Sequence, residues 1–243
     1  MNKPSTRPNV SAISRWLWTV YGHTYDGLLA FWPYHHLLDV MVAEAHLQPG
    51  QRLLDLGCGT GNLLERALVQ PGLTAVGVDL SVSMLGVARK KLEPAITDGR
   101  LELVRQDLIT YLRSQPADSF DRVVSTNVFY AINDQTELWR QVMRVLRPEG
   151  RITVTTSVRT GSWVIIKEHL RHRPLWTLFR LRLVGVFVID GLINLLGGAG
   201  HFAFANEATL RQAVAGAGGT WLESQVCYGG GKDGVNILFS VGR

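Results

Sequence analysis

The chain has 243 residues, 46% of them hydrophobic and 19% charged, and a formal net charge of +5. That length buries a full core in one domain, or in one domain with a cap, and that balance excludes a disordered or fibrous chain. Two cysteines, Cys58 and Cys227, exclude a disulfide framework or a cysteine metal cluster, and the first twenty residues carry Lys3, Arg7 and Arg15 but no long apolar run of the secretory kind. A cytoplasmic location is the default expectation. The charge is unevenly spread. Between 159 and 182 six basic residues (Arg159, Lys167, Arg171, Arg173, Arg180, Arg182) face the single acid Glu168. A basic patch beside apolar sequence points to an anionic surface or substrate; without a recognisable nucleic-acid module it does not point to nucleic acid.

Residues 1–11 contain Pro4 and Pro8 and read as a loose arm. Val10 to Leu29 is rich in aromatics and reads as a helix followed by a loop at Gly22 or Gly27. Pro33 opens a helix with an apolar face of Leu37, Leu38, Met41, Val42 and Ala45, ending before Pro49–Gly50. Strand–helix alternation then starts. Arg52–Leu56 is the first strand, and its helix runs from Gly61 to about Val69. Leu73–Val78 is the second, ending at Asp79, with Ser81 capping a helix through Leu92. Leu101–Arg105 is the third, ending near Asp107; Phe120–Ser125 is the fourth, followed by a loop over 126–133. A helix opened by Asp134 or Thr136 leads through Pro148–Glu149–Gly150 into a fifth strand, Arg151–Thr156. This alternation predicts an α/β fold on a mostly parallel sheet. Residues 160–200 interrupt it with Trp163–His172, Pro174 and the apolar Leu175–Leu196. Asn206 then caps a helix through Val214, and two late strands, around Trp221–Cys227 and Val235–Val241, flank the triple glycine 229–231.

Leu53–Leu54–Asp55–Leu56–Gly57–Cys58–Gly59–Thr60–Gly61–Asn62–Leu63 organises the rest. Gly57 can take the positive φ of a sharp strand-to-helix turn, Gly59 removes a Cβ where a ligand approaches the backbone, and Gly61 lets the next helix pack closely against the strand. Free N–H groups at that helix start would face a polar or anionic ligand group. The spacing is G-x-G-x-G, not the dinucleotide G-x-G-x-x-G, and acids stand at three strand ends: Asp55, Asp79 and Asp107. In a doubly wound sheet, residues at the carboxyl ends of the strands converge on the ligand. Asp79 can accept two hydrogen bonds from a ribose diol; Asp107 is placed to accept from an adenine amine; Leu80, Met84 and Leu108 could line the ring faces. For any one acid the bland alternative is a solvated loop carboxylate or a helix cap. Cys58 reads as a small buried filler.

This set resembles motif I and the acidic positions of the class I S-adenosylmethionine-dependent methyltransferases. Phe120–Asp121–Arg122–Val123–Val124–Ser125–Thr126–Asn127 resembles the family's motif IV, and Leu146–Arg147–Pro148–Glu149–Gly150–Arg151 resembles the turn before strand five. The resemblance spans about 51–156. It implies a Rossmann-like, seven-stranded, mostly parallel sheet whose final strand inserts antiparallel beside strand five, with S-adenosylmethionine as cofactor. It further implies that Asp55 helps hold the amino acid end, that Gly57, Gly59 and Gly61 contact it, and that Asn127 joins the cofactor site. An N-terminal helical lid (1–48), a cofactor-binding core (49–158), a helical cap (159–203) and a C-terminal return to the core (204–243) complete the expected organisation. An NAD-dependent oxidoreductase is the nearest rival on fold, since an acid after strand two serves NAD equally well. A non-catalytic adenosylmethionine-binding or membrane-docking protein is the other functional class.

Methyl transfer from a sulfonium asks mainly for in-line alignment, and a general base is needed only for a protonated acceptor. Tyr130 after motif IV, Tyr21, His23 and Tyr25 near the N-terminus, and His201 are the candidates; for each, the commoner role of such a residue is a core or rim side chain satisfied locally. His35 and His36, beside Pro33, read as structural, and no His/Cys/Asp cluster has metal-ligand spacing. Aromatic and apolar end segments imply a hydrophobic small-molecule acceptor, lipid or quinone-like. Leu183–Ala199 carries only Asp190 as a charge and is too short to span a bilayer. It suits a peripheral membrane surface, the protein's own sheet, or the interface of a homodimer.

Overall fold

A computed structural model describes residues 31–157, 162–174, 206–228 and 236–243. In chain order these form α1 (Trp32–Glu44), β1 (Arg52–Leu56), α2 (Asn62–Ala67), β2 (Thr74–Asp79), α3 (Val82–Lys91), α4 (Glu93–Thr97) and β3 (Leu101–Arg105). There follow α5 (Leu108–Ser114), β4 (Phe120–Thr126), a 3-10 turn (Phe129–Ala131), α6 (Gln135–Val145), β5 (Leu146–Ser157) and α7 (Ser162–His172). The last elements are α8 (Glu207–Gly216), β6 (Thr220–Tyr228) and β7 (Asn236–Gly242).

The strands make one seven-stranded sheet in the order β3-β2-β1-β4-β5-β7-β6. The first five are parallel, and β7 enters antiparallel between β5 and β6. Reversal of order at β1 and β4 puts the topological switch point at the glycine turn, where open α/β sheets bind ligands. The expected reversed final strand is therefore present. Being covered on both edges and both faces, β7 is apolar or small along Ile237–Val241 and buried from Asn236 to Val241.

Helix starts follow from side-chain caps. Ser81, Asp107, Asp134 and Asn206 accept hydrogen bonds from Met84 N, Thr110 N, Glu137 N and Thr209 N. Pro33 stands in the first turn of α1, where a missing N–H costs nothing. Two apolar layers sandwich the sheet. On one face α5, α6 and α8 bury Leu112, Trp139, Val142 and Val214 against Val123, Ile152 and Phe239. On the other, α1, α2 and α3 bury Leu37, Leu38, Met41, Leu64 and Leu85 against Leu53, Val124 and Leu238. The helix opened by Pro33 thus belongs to the sheet's own core.

Two helices stand outside the sequence reading. Asp107–Leu108–Ile109–x–Tyr111–Leu112 is a capped amphipathic turn whose apolar residues are buried; α4 is a single turn opened by Pro94. The strand β5 also begins five residues earlier than expected, because Leu146 pairs with Phe120 before an irregularity restores the register at Arg151.

Candidate cofactor and acceptor site

The turn after β1 is left-handed at Gly57 (φ 77°), Gly59 (φ 54°) and Gly61 (φ 79°). A Cβ on Gly57 would overlap Val128, whereas one on Gly59 would meet nothing closer than Met84 Sδ at 3.5 Å. Gly59 is thus the open side of the turn. Gly61 differs from expectation: an added Cβ would lie 2.7 Å from Leu92 Cδ1, so it admits the end of α3, not the strand. The helix start also offers less than expected, since α2 has six residues and Gly61 N donates to Cys58 O at 2.9 Å.

Asp79 ends β2, and its two carboxylate oxygens accept from Gly59 N (2.9 Å) and Ser81 N (2.8 Å). The side chain fastens the glycine turn to the start of α3 and keeps further lone pairs for a diol. Burial raises its pKa against the opposing pull of the Ser81, Gly59 and Leu80 N–H groups. Asp55 is 2% exposed, and its Oδ2 is a buried oxygen with no hydrogen-bond partner. Burial first, and the Asp79 charge second, push the Asp55 pKa up to about 8. Cys58, between the glycines, is buried and its thiol is held well above the usual range, chiefly by burial, which makes it inert.

Asp107 caps α5: its Oδ1 accepts from Thr110 N (3.0 Å) and Thr110 Oγ1 (3.1 Å), leaving Oδ2 for another donor. Leu80 is half-buried after β2, and Met84 and Leu108 lie within the apolar layers. Asn127, at φ 56°, donates its N–H to Thr155 O (2.9 Å), and its Oδ1 accepts from Asn236 Nδ2 (2.6 Å). Asn236 is absent from the sequence reading, because a residue opening the seventh strand has no sequence-local link to one ending the fourth. Tyr130 is buried in the 3-10 turn. Tyr21, His23, Tyr25 and His201, the segment 1–30 and the apolar stretch 183–199 lie outside the described residues. Among the described residues no helix is long and apolar enough to cross a membrane.

His35 pairs with Asp39, and His36 stacks on Trp32 at 4.6 Å, both local contacts within α1. Trp32 also stacks on His172 at 3.6 Å, and Trp32 N donates to His169 Nδ1 at 3.1 Å, so α7 is fastened to the start of α1. Glu44, His46 and Glu223 converge as spacing could not show, but Arg151 pairs with both carboxylates and makes the group an ion-pair network.

A reversed seventh strand, an open glycine turn and carboxylates at the ends of three adjacent parallel strands define a Rossmann-like nucleoside-binding domain. Residues 54–154 match the family described as "Methyltransferase domain". The chain is 35% identical over 136 residues to "Putative methyltransferase YqeM" of Bacillus subtilis, covering 54% of this chain and 51% of that protein. It is 32% identical over 135 residues to "Ubiquinone biosynthesis O-methyltransferase" of Xanthomonas axonopodis pv. citri, covering 54% of each. The chain thus spans about half the length of these relatives. The solved S-adenosylmethionine-dependent methyltransferase from Mesorhizobium loti superposes with a TM-score of 0.60 at 21% identity, over 84% of this chain and 96% of that one. Residues 54–154 thus match a methyltransferase domain, and the sheet around them has the fold of a solved S-adenosylmethionine-dependent methyltransferase.

The residues fit that cofactor. The orphaned Asp55 Oδ2 is a buried acceptor awaiting a donor, and the Cβ-free side of Gly59 leaves room for close backbone approach.

Proposed function

We propose that the protein transfers the methyl group of S-adenosylmethionine to a hydrophobic small-molecule or lipid-like acceptor. The observation that carries the cofactor half is Asp79, which ties Gly59 to Ser81 near the unpartnered Asp55 Oδ2. Asp55 and the glycine turn would hold the amino acid end, Asp79 the ribose and Asp107, through Oδ2, the adenine amine. The bound cofactor supplies an electrophilic methyl on a sulfonium that leaves as a neutral thioether. What remains for the protein is to align the acceptor and exclude water, since a neutral leaving group needs no acid. Tyr130, Tyr21, Tyr25 and His201 remain the proposed bases for a protonated acceptor. The hydrophobic character of the acceptor is supported by the aromatic and apolar composition of 10–29 and 175–196. A quinone-directed relative supports the same acceptor class. The test is release of S-adenosylhomocysteine with hydrophobic phenols, hydroquinones and amino-lipids. Turnover with at least one class supports the reading; tight cofactor binding without turnover on any would leave the non-catalytic alternative.

A further inference from the structure

Four adjacent strands, β1, β4, β5 and β7, bring a row of polar side chains to one face of the sheet. The registers Asp55↔Val124, Thr126↔Thr155 and Thr155↔Leu238 put these residues on the same side, and Asn236, two positions before Leu238, shares it. This is the face on which α1 packs, since Val124 and Leu238 belong to the apolar layer of Leu37 and Leu38. Within the row, Thr126 Oγ1, Thr155 Oγ1 and Asn236 Oδ1 are buried and have no hydrogen-bond partner, the residues being 9%, 0% and 0% exposed. Thr126 ends β4, Asn236 opens the antiparallel β7, and Thr155 lies two residues before the end of β5. All three therefore stand at the edge of the sheet where ligands bind. A core built for packing alone would fill such positions with valine; buried polar atoms left unpaired in a row call for a ligand.

We infer that Thr126, Thr155 and Asn236 form the polar end of the acceptor site and take a neutral hydroxyl-bearing group, a phenol, enol or alcohol. This rests on the methyl-transfer reading and names the acceptor chemistry of that same site. The donor inventory selects the group. Asn236 Nδ2 gives one N–H to Asn127 and Asn236 Oδ1 is left as an unpaired acceptor, while each threonine hydroxyl can donate or accept. A hydroxyl satisfies both kinds at once. A phosphate or carboxylate would face the Asn236 oxygen lone pairs, and the three residues carry no cation to neutralise it. The Asn236–Asn127 bond also fixes the left-handed Asn127, so the same row positions the loop between acceptor and glycine turn.

The test compares 4-pentylphenol with pentylbenzene, which lacks the hydroxyl, by calorimetry with and without S-adenosylhomocysteine. The wild type is expected to prefer the phenol by about tenfold, the scale of one or two neutral hydrogen bonds. Thr155→Val and Thr126→Val should each erase most of that preference, Thr155→Ser should keep it, and affinity for S-adenosylhomocysteine should stay unchanged in all three. Equal affinity of the wild type for the two probes, or binding of neither, overturns the inference. So does a preference that survives the double valine variant, which would mean that the row holds only internal water. Failure of S-adenosylhomocysteine to bind the wild type would fall on the cofactor reading instead, while the probe comparison in its absence still decides the row.

Discussion

Asp55→Asn separates a functional carboxylate from a structural one. In the free protein, burial and the Asp79 charge push the Asp55 pKa up to about 8, from an ordinary value of 3.8. A raised carboxylate pKa means that the folded state holds a proton the unfolded state has released. Stability from this group is therefore complete below pH ~4, falls as pH rises between the two pKa values, and is fully lost above about 8. Each pH unit in that window costs about 1.4 kcal/mol, so between pH 5 and 7.5 the loss reaches ~3 kcal/mol as an upper limit. Asparagine has the same shape and no proton to lose. Urea unfolding of the cofactor-free protein at pH 4, 5, 6, 7 and 8 should show the wild type losing stability with pH relative to the variant, the two lying closest near pH 4. A cationic amine beside Asp55 Oδ2 would draw the group back to its carboxylate form, so S-adenosylhomocysteine should protect the wild type more than the variant. Parallel stability curves for the two proteins from pH 5 to 8 would refute the reasoning.

Gly57→Ala forces a Cβ into Val128 at φ 77°, and a destabilisation of about 2–3 kcal/mol is expected in chemical denaturation, with weaker cofactor binding. Asp107→Ala removes the cap of α5 and should cost about 1 kcal/mol, whereas Asp107→Asn should keep the fold's stability. Equal losses in both would show that the cap is not what Asp107 contributes. Trp139, fully buried with its Nε1 unpartnered, should tolerate phenylalanine far better than alanine, for which about 3–5 kcal/mol is expected in thermal unfolding.

The parallel half of the sheet was legible because each βαβ unit writes itself locally: an apolar run, an acid or glycine at its end, then a cap. Arg52–Leu56 and Leu101–Arg105 emerge with the bounds expected, and Ser81, Asp134 and Asn206 cap the helices assigned to them. The helix at 108–114 is hidden in the sequence because an acid at a strand end reads as a ligand and as a cap alike, and Asp107 caps. The neighbour that Gly61 admits is not legible in the sequence, because the approach of Leu92 is a tertiary event 31 residues downstream. The polar row is the clearest case of information held only in the pairing. Thr155 and Asn236 sit in unremarkable local sequence, Thr126 lies in the motif IV stretch, and register alone aligns the three. Burial of Asp55, with its raised pKa, likewise comes from helices packed over the strand and not from its neighbours in sequence.

The central claim, an adenosylmethionine site organised by Asp79, is tested most directly by calorimetric titration of the wild type and of Asp79→Ala with S-adenosylmethionine and with NAD. Saturable binding of S-adenosylmethionine to the wild type, weakened by about 1.5–3 kcal/mol in the variant, and no comparable binding of NAD, is the expected result. Unchanged affinity in Asp79→Ala, or tighter binding of NAD than of S-adenosylmethionine by the wild type, would contradict it.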